Sequence, residues 1–221
     1  MQLENKKLTK HRKNMIVGFM NCTKKIIREE GIENVTIRKV ANCSMMNSAT
    51  IYNYFENLDH LIIFSIMDVL QDYIEEIPSA ISGTDNSLER LYAVWRCFVR
   101  HSFYKTKAYM KLFFSQMENQ IEFYIEQYYK IFPLELDKKK YPDEIVDMLN
   151  SSAIFTRNIY MMNECVKEGF IKEKTVYDIN NILIFTYEGI LRRIDSGVLD
   201  KENGIRMFDN YMKKIVEMGR P

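Results

Sequence analysis

Residues 36–61 read TIRKVANCSMMNSATIYNYFENLDHL, and every other part of the chain is interpreted outward from them. Thr36 is a good helix N-cap, and the run after it places Ile37, Val40 and Ala41 on one helical face. Lys39 stands where a capping box would need Glu or Gln, so Thr36 caps without a reciprocal partner. This predicts a short helix over 37–43. Ser44, Met45 and Met46 form a three-residue turn, and Asn47 caps a second short helix over 48–54. Asn57 caps the next helix, with Asp59 favourably placed in its first turn. Two short helices around a tight turn make a helix-turn-helix. The second helix, at about 1.5 Å per residue, spans roughly 10 Å and suits a major groove about 12 Å wide.

The run Ser48-Ala49-Thr50-Ile51-Tyr52-Asn53-Tyr54-Phe55 resembles the signature of the TetR family of transcriptional regulators. Asn57–Leu61 is similar to the start of that family's fourth helix, and Thr36–Ala41 to the start of its second. The detailed resemblance covers about residues 9–75. It implies an all-α chain: an N-terminal three-helix helix-turn-helix head (1–56) joined by a long helix to a larger helical-bundle body for ligand binding and dimerisation (57–221). The implied function is a homodimeric, sequence-specific transcriptional repressor, released from its double-stranded DNA operator by a small, mostly apolar ligand in the body. Such a protein is not an enzyme and needs no cofactor.

Roles for individual residues follow from that resemblance and their chemistry. Ile51 and Phe55 close the core of the head. Tyr52 and Tyr54 reach phosphates or base edges. Thr50 offers a hydroxyl to phosphate and a methyl to thymine. Asn47, Ser48, Ala49 and Asn53 lie on the exposed face of the third helix. Thr36, Arg38 and Lys39 clamp phosphates at the start of the second helix, where backbone N–H groups also point outward. Lys6, Lys7, Lys10, Arg12 and Lys13 form a basic arm whose contribution depends on salt. The sequence departs from the family at two places. Met45 stands where the turn usually carries Gly, which strains the backbone if φ is positive. Ser48 stands where Lys is common.

Composition supports one substantial helical fold. Apolar residues make up 47% of the 221, enough for a sizeable core, and only 8 Gly and 4 Pro interrupt the chain. The net charge of +1 hides an asymmetry: residues 1–54 hold ten Lys/Arg against four acids, a local +6, and the remainder is net acidic. A basic head on an acidic body suits a polyanionic partner at one end. Cys22, Cys43, Cys97 and Cys165 are scattered, with neither a disulfide framework nor a CxxC pair, as in a reducing compartment. There is no signal peptide and no apolar run of the roughly 18 residues needed to span a bilayer, so a cytoplasmic protein is expected.

Helical periodicity predicts further segments at 9–30, 57–76, 87–106, 108–117, 119–132, 143–168, 175–196 and 201–218. Residues 87–170 are rich in Phe, Tyr and Met. Trp95, Phe98, Tyr124, Tyr128, Phe155 and Met162 are the candidate walls of an effector cavity, although an aromatic stripe is more often plain core. Met148, Ser152 and Ile159 on one helix, and Ile179, Leu183, Gly189 and Ile190 on another, are the candidate dimer seam. The same stripes fit burial within one subunit equally well. Cys97 and His101 share a helix face, but no second pair completes a metal site. No catalytic motif stands out. Two other readings stay open: an all-helical small-molecule-binding protein or enzyme without DNA binding, and a ligand-independent DNA-binding regulator.

Overall fold

A computed structural model describes residues 9–115, 118–134, 136, 140–151 and 153–221, with the side chains of 118–120 excepted. Lys6, Lys7 and Ser152, named above, lie outside the described residues. The helices are α1 (Lys10–Glu30), α2 (Ile37–Cys43), α3 (Ser48–Tyr52), α4 (Leu58–Ile66), α5 (Val69–Ala80) and α6 (Ser87–Tyr104). They continue with α7 (Thr106–Phe113), α8 (Glu118–Ile131), α9 (Asp143–Asn150), α10 (Ile154–Lys167), α11 (Val176–Asp195) and α12 (Lys201–Glu217). Among the described residues there is no strand. No helix is long and apolar enough to cross a membrane.

The chain forms two compact units. The first comprises residues 1–68 and 116–134, the second 69–115 and 135–221. In the first unit, Thr9 caps α1 by accepting from the backbone N–H of Arg12. Gly31, at φ +94°, ends the helix, and a Cβ there would press on the Glu33 carboxylate at 3.0 Å. The inner face of α1 buries Ile16, Phe19, Thr23 and Ile26. Phe19, Phe55 and Phe64 then meet edge-on, Phe55 to Phe64 at 5.6 Å, to form the aromatic centre of the unit. α4 is buried along almost its whole length, as befits a central helix. The later helix α8 supplies part of its cover. Tyr124 stacks flat on His60 at 4.3 Å, and Tyr128 lies edge-on to Phe64 at 5.5 Å.

Cys22 of α1 and Cys43 of α2 are joined as a disulfide, with Cα atoms 5.7 Å apart. That corrects the reading of four separate thiols. The two residues are 21 apart in sequence, and only the packing of α1 on α2 brings them together. Cys97 and Cys165 are free and buried.

The second unit is built around Tyr187 of α11. Trp95 and Phe98 of α6 lie 5.7 and 5.2 Å from its ring, Phe103 stacks on it at 5.8 Å, and Phe208 of α12 meets it edge-on at 6.0 Å. Gly204 lets α12 approach α11 closely, because a Cβ there would fall 2.6 Å from Ile194 Cδ1. Asn86 caps α6 by accepting from the N–H of Glu89.

Two expected helices are each divided. The segment 57–76 is α4 and α5, with a turn at Met67 and Asp68 between them. α5 also continues through Pro78 to Ala80 rather than stopping short of it. Pro78 has no N–H to give the Ile74 carbonyl, and the Tyr141 hydroxyl donates to that carbonyl instead, at 3.1 Å. The segment 143–168 is α9, ending at Asn150, and α10, starting at Ile154. The carbonyl freed at Ser151 accepts from Nε of Arg157, at 2.7 Å.

Candidate nucleic-acid interface and ligand cavity

The turn between α2 and α3 is a full Schellman closure. The N–H of Met46 donates to Ala41 O at 2.9 Å and that of Met45 to Asn42 O at 3.2 Å. This geometry needs a left-handed residue, and Met45 adopts φ +55°, the one positive φ at a non-glycine residue among those described. Its side chain is 94% exposed, so nothing about its packing favours Met there.

Asn47 caps α3 through Oδ1, which accepts from both the backbone N–H and the hydroxyl of Thr50, at 2.8 and 2.9 Å. Ile51 and Phe55 are fully buried, which fixes the roll of the helix. The opposite face carries Ser48 and Thr50, half-buried, with Ala49, Tyr52 and Asn53 exposed. Tyr54 is half-buried, 5.6 Å from Phe19, and the guanidinium of Arg12 lies 4.7 Å over its ring. Arg12 also donates to the Asn53 carbonyl at 3.0 Å and is itself buried. It therefore holds the end of α3 against α1 and is not part of a solvated arm. Lys10 and Lys13 are exposed on α1.

At the start of α2, Thr36 and Arg38 are exposed, and Thr36 caps the helix through the N–H of Lys39. The Lys39 ammonium is paired with Glu30 and also donates to the Asn34 carbonyl. A phosphate contact from Lys39 would have to draw it away from Glu30. Behind this surface, burial pushes His60 down from 6.5 to about 3, so the imidazole is neutral. Its Nδ1 accepts from the N–H of Glu56.

The second unit contains a cavity with ≈ 350 Å³ of space not filled by atoms, part of it open to solvent. Its walls are Tyr73 of α5, Val94, Trp95 and Phe98 of α6, and Met148 of α9. Ile154, Arg157, Asn158 and Met161 of α10 complete them. Asn158 is held on both sides: its Oδ1 accepts from Trp95 Nε1 at 2.8 Å, and its amide donates to Asn180 Oδ1 at 2.7 Å. Asn180 in turn donates to the Phe155 carbonyl.

Of the expected wall residues, Trp95 and Phe98 line this cavity. Met162 is buried beside Asn158, its sulfur 3.9 Å from the amide. Phe155 is half-buried and its ring meets Tyr177 at 5.6 Å. Tyr124 and Tyr128 belong to the first unit, where they pack on α4. Sequence reasoning missed Tyr73, Arg157, Asn158 and Met161. The one available signal was two adjacent polar residues, Arg157 and Asn158, on an otherwise apolar stripe.

Of the candidate seam residues, Met148, Ile179, Leu183 and Ile190 are buried within the subunit, Ile159 is half-buried and Gly189 is exposed. The outer face of α11 instead exposes Phe185 at 67% and also Ile182, and Tyr160 of α10 is exposed. The structure brings Glu76 beside Cys97 and His101, with one ligand atom from each within 4.8 Å of the others. Glu76 is already paired with His101 Nε2 at 2.7 Å and with Arg100, and burial pushes the Cys97 thiol up to about 11. The Glu76 carboxylate is thus already engaged by Arg100 and His101.

No family model matches the sequence. A curated relative, the HTH-type transcriptional regulator HbdR of Aromatoleum sp. (strain CIB), is 32% identical over 90 residues, which is 40% of this chain and 38% of that protein. Among solved structures, a protein of Syntrophomonas wolfei described as a TetR-family regulator matches with a TM-score of 0.59 at 17% identity, covering 94% of this chain and 95% of that one. The TetR-family repressor FadR of Thermus thermophilus, in complex with lauroyl-CoA, matches at 0.57 with 11% identity over 89% of this chain and 92% of that one. RolR with resorcinol matches at 0.55 with 13% identity over 96% and 97%. The chain thus has the all-α fold of these solved TetR-family structures, and the likeness in fold runs over nearly its whole length.

Proposed function

We propose that the chain is a DNA-binding transcriptional regulator that responds to a small molecule, acts as a homodimer and represses its target until the ligand binds. The observation that carries this reading is α3. It buries Ile51 and turns Ser48, Tyr52 and Asn53 outward from a head whose sequence is rich in Lys and Arg. Tyr52, Thr50 and Asn47 read base edges or phosphates, while Thr36 and Arg38 hold the backbone at the start of α2. Two heads of a dimer enter successive major grooves, about 34–36 Å apart. The second copy covers the outer face of α11, where Ile182 and Phe185 are exposed and Gly189 permits close approach. A ligand in the cavity releases DNA only by binding one head spacing more tightly than another. The apolar share of that cavity supports a largely apolar effector.

Fluorescence-anisotropy titration against the DNA flanking its gene tests the proposal, at several salt concentrations. Tight binding that survives competitor DNA is expected. Tyr52→Ala should weaken it by roughly tenfold, or about 1.4 kcal/mol, with little change in stability. Arg38→Ala should weaken all sequences alike and lower the salt slope by about one. Micromolar affinity without sequence preference would refute the regulator reading. Sedimentation of Phe185→Glu should show monomers where the parent chain is dimeric.

A further inference from the structure

Arg157 projects from α10 into the wall of the cavity and is 5% exposed. Its Nε is paired with the Ser151 carbonyl, but Nη1 and Nη2 are buried and have no hydrogen-bond partner. Among the described residues no carboxylate pairs with it. The Phe113 ring, 5.6 Å away, offers only a weak cation–π contact. Removing a guanidinium from water costs several kcal/mol unless a counter-charge or hydrogen bonds replace the lost solvation. Native proteins seldom leave such a group uncompensated.

The rest of the cavity shows what is lacking. The Asn158 oxygen is taken by Trp95 and its amide by Asn180. Among the described residues the Tyr73 hydroxyl has only the Met148 sulfur, at 4.0 Å. Among the polar residues of the wall, buried donors are therefore in excess of acceptors, and the other walls are apolar. The forked donors of one guanidinium match a planar group with two oxygens. One buried cation is neutralised by one negative charge, which favours a carboxylate over a phosphate dianion.

We infer that Arg157 anchors the carboxylate of an organic acid whose apolar remainder lies against Trp95, Phe98 and Met161. This rests on the reading of the cavity as the effector site and assigns the chemical class of the effector. Tyr73 is placed to donate to the same group.

Trp95 is the single tryptophan of the chain and lines the cavity, so its fluorescence reports occupancy directly. The full-length protein is titrated with benzoate and octanoate, and in parallel with benzamide and octanamide, their uncharged counterparts. At least one carboxylate should bind tenfold or more tightly than its amide. Arg157→Met should abolish that preference. Arg157→Lys keeps the charge but loses the fork, and should retain part of the preference.

Equal binding of acids and amides would overturn the anion assignment and leave the cavity as an effector site. The same holds for a preference unchanged in Arg157→Met. Failure of all four compounds to alter Trp95 emission would overturn both. Inorganic phosphate serves as a control, and binding as tight as that of the carboxylates would refute the organic-acid class. Should Arg157→Met fail to fold, the comparison of acid with amide on the unaltered chain still decides.

Discussion

Replacing Met45 with glycine should make the first unit more stable, even though it removes a large side chain. The two hydrogen bonds that close α2, from Met45 and Met46 to Asn42 and Ala41, require residue 45 to be left-handed. At φ +55° the Met45 Cβ crowds the backbone, at a cost of about 1–2 kcal/mol. Glycine avoids that cost but surrenders about 0.5–1 kcal/mol of extra backbone entropy on folding. No burial is lost, because the side chain is almost wholly exposed. The balance favours glycine by about 0.5–1 kcal/mol. For a chain of this size that corresponds to a rise in melting temperature of about 1–4 °C. Because the chain has two compact units, amide hydrogen exchange across residues 37–55 is the sharper assay, and protection there should rise several-fold. Met45→Ala is the control: it discards the same side chain and keeps the strain, so it should show no gain. A glycine variant no more stable than the alanine variant would refute the reasoning.

Arg12→Ala should destabilise the first unit by about 1.5–3 kcal/mol in urea unfolding, since it removes a charged hydrogen bond to the Asn53 carbonyl and the contact with Tyr54. Acid should weaken the same unit through His60. Its folded pKa of about 3 lies below the ordinary 6.5, so the unfolded chain takes up a proton that the folded one refuses. That part of the stability is complete above pH 6.5 and falls as pH drops toward 3, by up to about 1.4 kcal/mol per unit. His60→Gln should flatten that slope in denaturation curves recorded between pH 6.5 and 4. Trp95→Phe should cost about 1–3 kcal/mol, measured by thermal or urea unfolding, because the Asn158 oxygen is left buried without its donor.

The helix-turn-helix was legible in the sequence because its signals are local. Thr36, Asn47 and Asn57 each cap the helix that follows them, and the Ile51 and Phe55 spacing sets the inward face. The strain at Met45 was legible for the same reason. What escaped was whatever depends on distant neighbours. Nothing near Tyr124 says that it will stack on His60, and nothing near Cys22 points to Cys43. Periodicity also ran through the breaks at Met67–Asp68 and between α9 and α10, since apolar spacing continues across both. Arg157 was overlooked because a charged residue on an amphipathic helix ordinarily faces water.

The first unit is discontinuous in sequence. Its central helix, α4, is covered by Tyr124 and Tyr128 from a segment that begins some fifty residues later. During synthesis the first 68 residues therefore leave the ribosome without the cover for His60 and Phe64, and gain it only after α8 has emerged. Until then an apolar flank of the nascent head stays wet, and the helix that would read DNA hangs from an unfinished core.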